Sequence, residues 1–175
     1  DLFEPKLGMY GIFRCTPLNS LFVLTGAGVG GGSLGYANTL YQPPDEVFAD
    51  RQWAHITDWR DELPPYYDQA RRMLGVSTYP ELSPSDRVMR DVAEQMGIGD
   101  TFRLADVGVF FGADNAAPGT EAPDPYFGGM GPARRTCTRC GECMTGCRHN
   151  AKNTLVKNYL YLAEQAGARV HPLTT

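Results

Sequence analysis

A glycine-rich segment near the N-terminus constrains this chain more than any other feature. Six of the ten residues from Gly26 to Gly35 are glycine, and they directly follow the apolar run 21–24. Glycine loses more conformational freedom on folding than any other residue and contributes no side chain to a core. The segment therefore predicts that the backbone passes close to a flat or anionic group, against which any Cβ atom would collide. A cofactor that carries phosphates or rings is the first hypothesis.

A dinucleotide-binding fingerprint is one interpretation of this segment. The glycines from Gly26 to Gly31 satisfy G-x-G-x-x-G, and the acidic pair Asp45–Glu46 follows about 20 residues later, where a ribose-binding acid is expected. A βαβ unit, however, needs a crossover helix and a second parallel strand. Only about two helical turns fit between Gly35 and Pro43–Pro44, and proline cannot donate to a central strand ladder. The sequence therefore favours an irregular loop that lies against a cofactor bound elsewhere.

The composition excludes several classes of partner. The 175 residues carry 16 basic and 20 acidic side chains, a net charge of -4, and no basic run, so nucleic acid is not an expected partner. No stretch approaches the roughly 18 consecutive apolar residues of a membrane-spanning helix. The 20 glycines and 13 prolines exceed average usage, which indicates long loops that shape a cofactor and substrate site.

Hydrophobic periodicity and cap residues predict the secondary structure. Apolar residues at helical spacing, together with proline or glycine at the helix ends, predict helices at 64–74, 84–96 and 153–165. Strands are predicted at 103–111 and 168–175, whereas 112–136 is predicted to be loop. The run 21–24 is either a short buried strand or the lead-in to the glycine-rich segment. This mixture predicts an α+β fold.

Four of the five cysteines form a C-x2-C-x2-C-x3-C run: Cys137, Cys140, Cys143 and Cys147. This is the spacing of bacterial ferredoxins, whose thiolates hold an iron–sulfur cluster. In such runs the fourth cysteine ligates a second cluster, so Cys15 is the remaining thiol that could complete a set of four. Another metal is an alternative, and so are free or disulfide-linked thiols beside a redox cofactor. Polar neighbours such as Arg139 and Glu142 favour thiols without metal, and no metal ligand is assigned.

Two segments together carry a resemblance to a known family. The first is GVGGGSLGYANTLYQPP at residues 28–44, and the second runs from Cys137 through AKNTL at 151–155 to GARV at 167–170. They resemble the glucose–methanol–choline (GMC) family of FAD-dependent oxidoreductases, and most closely its cholesterol oxidase-like branch. Order and spacing agree over roughly residues 20–175. The chain has Tyr36-Ala37 where that branch carries Asn-Gly.

The resemblance implies FAD as the cofactor, with the glycine-rich segment beside its isoalloxazine ring and pyrophosphate. The residues that it places close to the cofactor are Gly30, Gly31, Gly32, Ser33, Asn38 and Thr39. The implied reaction is oxidation of the CH–OH group of a small-molecule alcohol, a sterol such as cholesterol, by hydride transfer to the flavin. An electron-transfer module that holds an iron–sulfur cluster in the cysteine run is the alternative.

The resemblance also implies a division of the chain. The expected fold is a fragment of a two-domain flavoprotein, which consists of an FAD-binding α/β part and a substrate domain. Residues 20–44 are the FAD-contacting segment, 45–136 a helical and loop-rich substrate region, and 137–175 a cysteine-rich loop, helix and strand that return to the FAD-binding domain. The N-terminal βαβ unit and the C-terminal His–Asn pair of the family are expected to lie outside these residues, so no catalytic residue is assigned.

Overall fold

The strands of this chain are short and pair in twos. The computed structural model describes residues 2–113 and 116–172, and within them four two-stranded antiparallel sheets accompany short helices. The strands are β1 (Phe3–Glu4), β2 (Met9–Tyr10), β3 (Phe13–Leu18), β4 (Leu21–Gly26), β5 (Ser77–Thr78), β6 (Asp106–Val107), β7 (Glu121–Ala122) and β8 (Arg134–Arg135). The α-helices are α1 (Asp45–Phe48), α2 (Trp59–Glu62), α3 (Pro64–Leu74), α4 (Pro84–Gln95) and α5 (Tyr159–Gln165). The mixture of helices and small sheets agrees with the predicted α+β class.

A hairpin of β3 and β4 leads into the glycine-rich segment. Its register pairs Phe13 with Gly26 and Leu18 with Leu21. Of the two alternatives for 21–24, the structure shows both a strand and the lead-in to the glycine-rich segment. The strand is not buried in this chain, because a two-stranded ribbon leaves most side chains open to solvent and Phe22 is 77% exposed. After the hairpin the chain enters a 3-10 turn at Gly31–Leu34 rather than a crossover helix. This confirms the irregular loop.

Helices α3 and α4 occur where local sequence signals predict them. Helix α3 has proline in its first turn and ends at Gly75, whose φ of 59° is left-handed. Helix α4 begins with a capping box: the Ser83 hydroxyl accepts from the backbone N–H of Asp86 at 3.2 Å, and the Asp86 carboxylate accepts from the N–H of Ser83 at 2.8 Å. The hydrogen bonds from Ser83 lower the pKa of Asp86. None of the described helices has the length and apolarity needed to cross a membrane.

An extended segment at 105–111 runs through the small core. The strand predicted at 103–111 forms regular pairs only at Asp106–Val107, and isolated bridges join Val107 to Thr39 and Val109 to Lys152. The predicted strand is therefore too long, since its neighbours are single short segments rather than full strands. The buried apolar residues are Val107, Val109 and Ala151, and the residues packed against them are Tyr79, Ala105, Phe111, Cys137 and Cys147.

The helix predicted at 153–165 is wrong in its first six residues, 153–158. Thr154 is extended, a 3-10 turn occupies Leu155–Lys157, and α5 begins only at Tyr159. The reason is that other segments capture the backbone of Asn153: its N–H donates to Gly108 at 2.8 Å, and its carbonyl accepts from the Tyr36 hydroxyl at 2.8 Å. With these partners, the backbone of Asn153 does not take part in the hydrogen bonds of an α-helix.

The strand predicted at 168–175 is not present in the part of it that the structure describes. Residues 168–172 form neither strand nor bridge, and 173–175 lie outside the described residues. A strand requires a neighbouring edge that offers backbone hydrogen bonds. The backbone here instead continues from the end of α5, where the N–H of Ala168 donates to the carbonyl of Ala163 at 2.9 Å.

Candidate functional site

The glycine-rich segment leaves β4 through a succession of left-handed residues. Gly28, Gly30 and Gly31 have φ angles of 137°, 106° and 54°, a region that residues with a Cβ rarely adopt. The 3-10 turn then returns the chain toward Tyr36, whose N–H donates to the carbonyl of Gly32 at 3.1 Å. Part of the glycine content is thus required by the path of the backbone itself.

Close packing accounts for two further glycines. A Cβ atom on Gly26 would collide with the backbone of Gly31, and one on Gly35 would collide with the ring of Phe13. Gly32 differs from all of these. Its φ lies outside the left-handed region, and a Cβ built on it has no atom of the described chain within 4 Å. Among the described residues nothing requires glycine at position 32, so its open side can receive another group.

A second segment, residues 152–157, holds the glycine-rich segment in place through hydrogen bonds. The Ser33 hydroxyl donates to the carbonyl of Gly30 at 2.7 Å and accepts from the N–H of Leu155 at 2.9 Å. The Lys152 ammonium donates to the carbonyl of Leu34 at 2.9 Å. Burial is the main reason that the pKa of Tyr36, which lies at this junction, is raised to about 12. The predicted residues Gly30–Ser33 therefore form one rigidly supported turn.

The other two predicted site residues lie on the exit from this turn. Asn38 has a φ of 63°, which asparagine tolerates better than most residues, and its carbonyl accepts from the N–H of Gly108 at 2.8 Å. Thr39 forms a bridge with Val107. Asn38 and Thr39 are thus attached to the core segment, whereas Gly30–Ser33 are attached to 152–157.

Sequence reasoning missed a group of buried polar residues beneath the site. Arg134, Lys152, Asn153 and Asn158 are at most 2% exposed. The Arg134 guanidinium donates to the Asn153 side chain at 3.2 Å and to the carbonyl of Lys157 at 3.0 Å. The Asn153 amide donates to the carbonyl of Gly75 at 3.2 Å. The available signal was the run AKNTLVKN at 151–158, which holds five polar residues among eight.

The cysteine run folds around a single small cavity. All four of its thiols line this cavity together with Val109 and Ala151, and all five cysteines of the chain are free. Cys15 is exposed on the β3–β4 hairpin and does not line the cavity. The structure thus does not bring Cys15, the thiol expected to complete a set of four, to this cavity, and it places Cys147 there with the other three.

The cavity thiols have different environments. Burial raises the pKa of Cys137, and the neighbouring thiols raise it further against a hydrogen bond from the N–H of Arg139. Burial also raises the pKa of Cys147, but hydrogen bonds from the backbone N–H groups of Lys152, Ala151 and His149 outweigh it, so the net shift is downward. Backbone donors thus favour the thiolate at Cys147.

Lys157 makes the stability of this region depend on pH. Burial lowers its pKa from 10.5 to about 8, against an opposing effect of Cys147. Between these values the unfolded chain binds more protons than the folded chain, so stability rises with pH. From about pH 8 to about pH 10, the free energy of unfolding should rise by about 1–2 kcal/mol more in the wild type than in Lys157→Met, since partial exposure screens the effect. Urea unfolding at both pH values measures this difference, and equal changes in the two proteins would contradict it.

Comparison with known proteins supports the family resemblance. No protein-family model matches the chain. It is 63% identical over 175 residues to proteins named cholesterol oxidase from two strains of Mycobacterium tuberculosis, CDC 1551 / Oshkosh and ATCC 25618 / H37Rv. It is 44% identical over 173 residues to a cholesterol oxidase of Acinetobacter baumannii. Each alignment covers 99% of this chain but only 30% or 31% of the relative.

Such identity over nearly the whole chain shows common descent with a class of oxidoreductases. Over nearly its whole length the chain is similar to these proteins named cholesterol oxidase, and it spans about 30% of their length.

Proposed function

We propose that this chain is part of an FAD-dependent alcohol oxidoreductase that oxidises the CH–OH group of a sterol such as cholesterol. The observation that carries the proposal is the 63% identity, over 99% of the chain, to proteins named cholesterol oxidase. FAD would supply the acceptor for the hydride of the carbinol carbon. The residues of this chain would bind and orient the cofactor.

The glycine-rich segment fits a bound flavin in two respects. Gly32 has a φ outside the left-handed region and open space where a Cβ atom would lie. A ring or phosphate can therefore approach its backbone more closely than any side chain would allow. Thr154 Oγ1 and Asn158 Nδ2, in the supporting segment, are buried polar atoms without a hydrogen-bond partner among the described residues. Buried polar atoms usually have partners, so these two atoms are available to a polar group that enters the supporting segment.

We assign the six predicted residues as follows. Gly30, Gly31 and Gly32 allow close approach of the cofactor, and Ser33 holds their turn through its hydrogen bonds to Gly30 and Leu155. Asn38 and Thr39, on the exit from this turn, lie near the flavin ring. Residues 20–44 form the FAD-contacting segment, 45–136 the substrate region, and 137–175 the return to the FAD-binding domain.

The proposal is tested on the full-length protein. We expect purified protein to show the two visible absorption bands of oxidised flavin, which should bleach when cholesterol is added without oxygen. A sterol without a hydroxyl group should cause no bleaching. Colourless protein that cannot be loaded with FAD would contradict the cofactor, and a coloured protein that no sterol alcohol reduces would contradict the substrate.

We also expect the 175 residues, produced alone, neither to oxidise cholesterol nor to retain FAD through gel filtration. They correspond to 30% of the length of the relatives, and no residue within them is assigned to proton removal or to a βαβ pyrophosphate site. Flavin absorbance and cholesterol-dependent reduction are measured on the isolated chain with full-length protein as the control. Sterol-dependent flavin reduction by the isolated chain would contradict the proposal that other parts of the protein supply the pyrophosphate site and the catalytic residues.

A further inference from the structure

We propose that Cys137, Cys140, Cys143 and Cys147 together bind an iron–sulfur cluster. This site is separate from the proposed flavin contacts, and its existence does not depend on them. The first observation is that all four thiols line one cavity. The loop from 137 to 147 therefore supplies a complete set of four ligands by itself, which the run in two-cluster ferredoxins does not do.

The backbone of the loop directs its cysteines to a common side. Arg139, Gly141 and Gly146 have φ angles of 59°, 77° and 98°. Each of these residues lies between two consecutive cysteines of the run and has a φ that residues with a Cβ rarely adopt. A positive φ at a residue with a long side chain is uncommon and is maintained by its surroundings. Here the N–H of Arg139 donates to Cys137 Sγ at 3.3 Å.

The surroundings of the cavity resemble those that iron–sulfur clusters require. Val109 and Ala151 form the apolar part of its wall, which Glu142, His149 and Lys152 also line. Of the backbone N–H groups that donate to its sulfur atoms, two lie near the two ends of the cysteine run. One is the donor from Arg139, and the other is the N–H of Lys152, which donates to Cys147 Sγ at 3.5 Å. Hydrogen bonds to the sulfurs and a dry wall are the features that tune such clusters. Of the polar side chains that argued against a cluster, Arg139 is exposed and does not line the cavity, whereas Glu142 lies at its exposed rim.

A buried cation provides an independent indication. The Lys152 side chain has no exposed surface, and its ammonium donates to two neutral carbonyls, those of Leu34 and Cys143 at 2.9 and 2.8 Å. Among the described residues no carboxylate forms an ion pair with Lys152. A buried charge is normally paired with an opposite charge. Four thiolates around a cluster would place that negative charge beside the lysine.

The ligand spacing favours iron–sulfur over a single metal ion. A tetrahedral set of four thiolates suits both zinc and iron–sulfur centres, but structural zinc sites use two separated ligand pairs, and this run is continuous. The cavity itself measures about 20 Å³, so a cluster requires its wall to move outward. The part of the wall that would move is the exposed segment 140–142.

The test counts iron and acid-labile sulfide in full-length protein purified without oxygen. We expect about four of each per chain, together with broad visible absorption that dithionite bleaches. Cys140→Ser should lose most of the iron, because it removes one ligand from the exposed rim of the loop. Cys15→Ser is the matched control, since it changes an exposed thiol outside the cavity, and it should retain the iron. Flavin is counted separately in each protein, so the outcome stands apart from that of the flavin proposal.

Three results would overturn the inference. The first is wild-type protein that holds no iron after anaerobic reconstitution with iron and sulfide. The second is one zinc per chain without labile sulfide. The third is equal iron loss in Cys140→Ser and Cys15→Ser. The circular dichroism spectrum of each variant verifies folding, and Cys143→Ser provides a second ligand variant if Cys140→Ser does not fold.

Discussion

Replacing Arg134 by alanine is expected to lower the free energy of unfolding by about 2–4 kcal/mol. Its side chain is 1% exposed, and its guanidinium joins Asn153 and the carbonyl of Lys157. The guanidinium also lies 5.7 Å from the centre of the Tyr126 ring. Alanine would leave two buried acceptors without a donor and a cavity in the layer that supports the glycine-rich segment.

An opposing effect limits the size of this loss. Burial lowers the pKa of Arg134, and its Nη1 atom has no hydrogen-bond partner among the described residues. Part of the guanidinium is thus desolvated without compensation, and the alanine variant is relieved of that penalty. The expected loss is therefore smaller than that of a fully satisfied buried ion pair, which is about 3–5 kcal/mol.

The adjacent residue is a matched control for Arg134→Ala. Arg135 is exposed and pairs with Glu121 on the neighbouring strand, and a surface pair of this kind contributes about 0–1 kcal/mol. Urea unfolding of wild type, Arg134→Ala and Arg135→Ala measures the difference. If both variants unfold at the same urea concentration, the buried network is not the support described here.

Local signals explain which elements the sequence could predict. Ser83 and Asp86 determine where helix α4 begins, and Gly75 determines where α3 ends. A few neighbouring residues therefore decide each boundary. The helix predicted at 153–165 failed because its first residues bond to partners far along the chain. Asn153 bonds to Tyr36, Gly75 and Arg134, and nothing in the local periodicity reveals such partners.

The candidate site shows the same division. The density of glycine was sufficient to locate the glycine-rich segment. A backbone path that excludes side chains requires glycine, and glycine can be recognised directly in the sequence. The role of Lys152 was not visible, since it depends on one ammonium reaching both the glycine-rich segment at Leu34 and the cysteine loop at Cys143. This lysine joins the two motifs on which the family resemblance is based.

Replacing Gly32 by valine in the full-length protein is expected to reduce FAD binding at least tenfold, which corresponds to about 1.4 kcal/mol or more. The expectation rests on the proposed flavin site. Gly32 has an ordinary φ and open space where a Cβ would lie, so the chain itself should accept a side chain there. The cofactor should not, because the new side chain would occupy the space into which the flavin has to fit. Gly31→Val should bind no better, but its φ of 54° adds backbone strain.

The comparison of Gly32→Val with two other variants separates cofactor exclusion from misfolding. Thr25→Val changes an exposed position on β4 without altering its volume much, so it should bind FAD normally. Gly26→Val would drive a side chain into the backbone of Gly31, so it should lose folding together with flavin. Gly32→Val should keep the thermal unfolding temperature of apoprotein within a few degrees of wild type and lose flavin alone. Bound flavin is titrated by fluorescence quenching, and wild-type affinity in a well-folded Gly32→Val protein would remove Gly32 from the cofactor site.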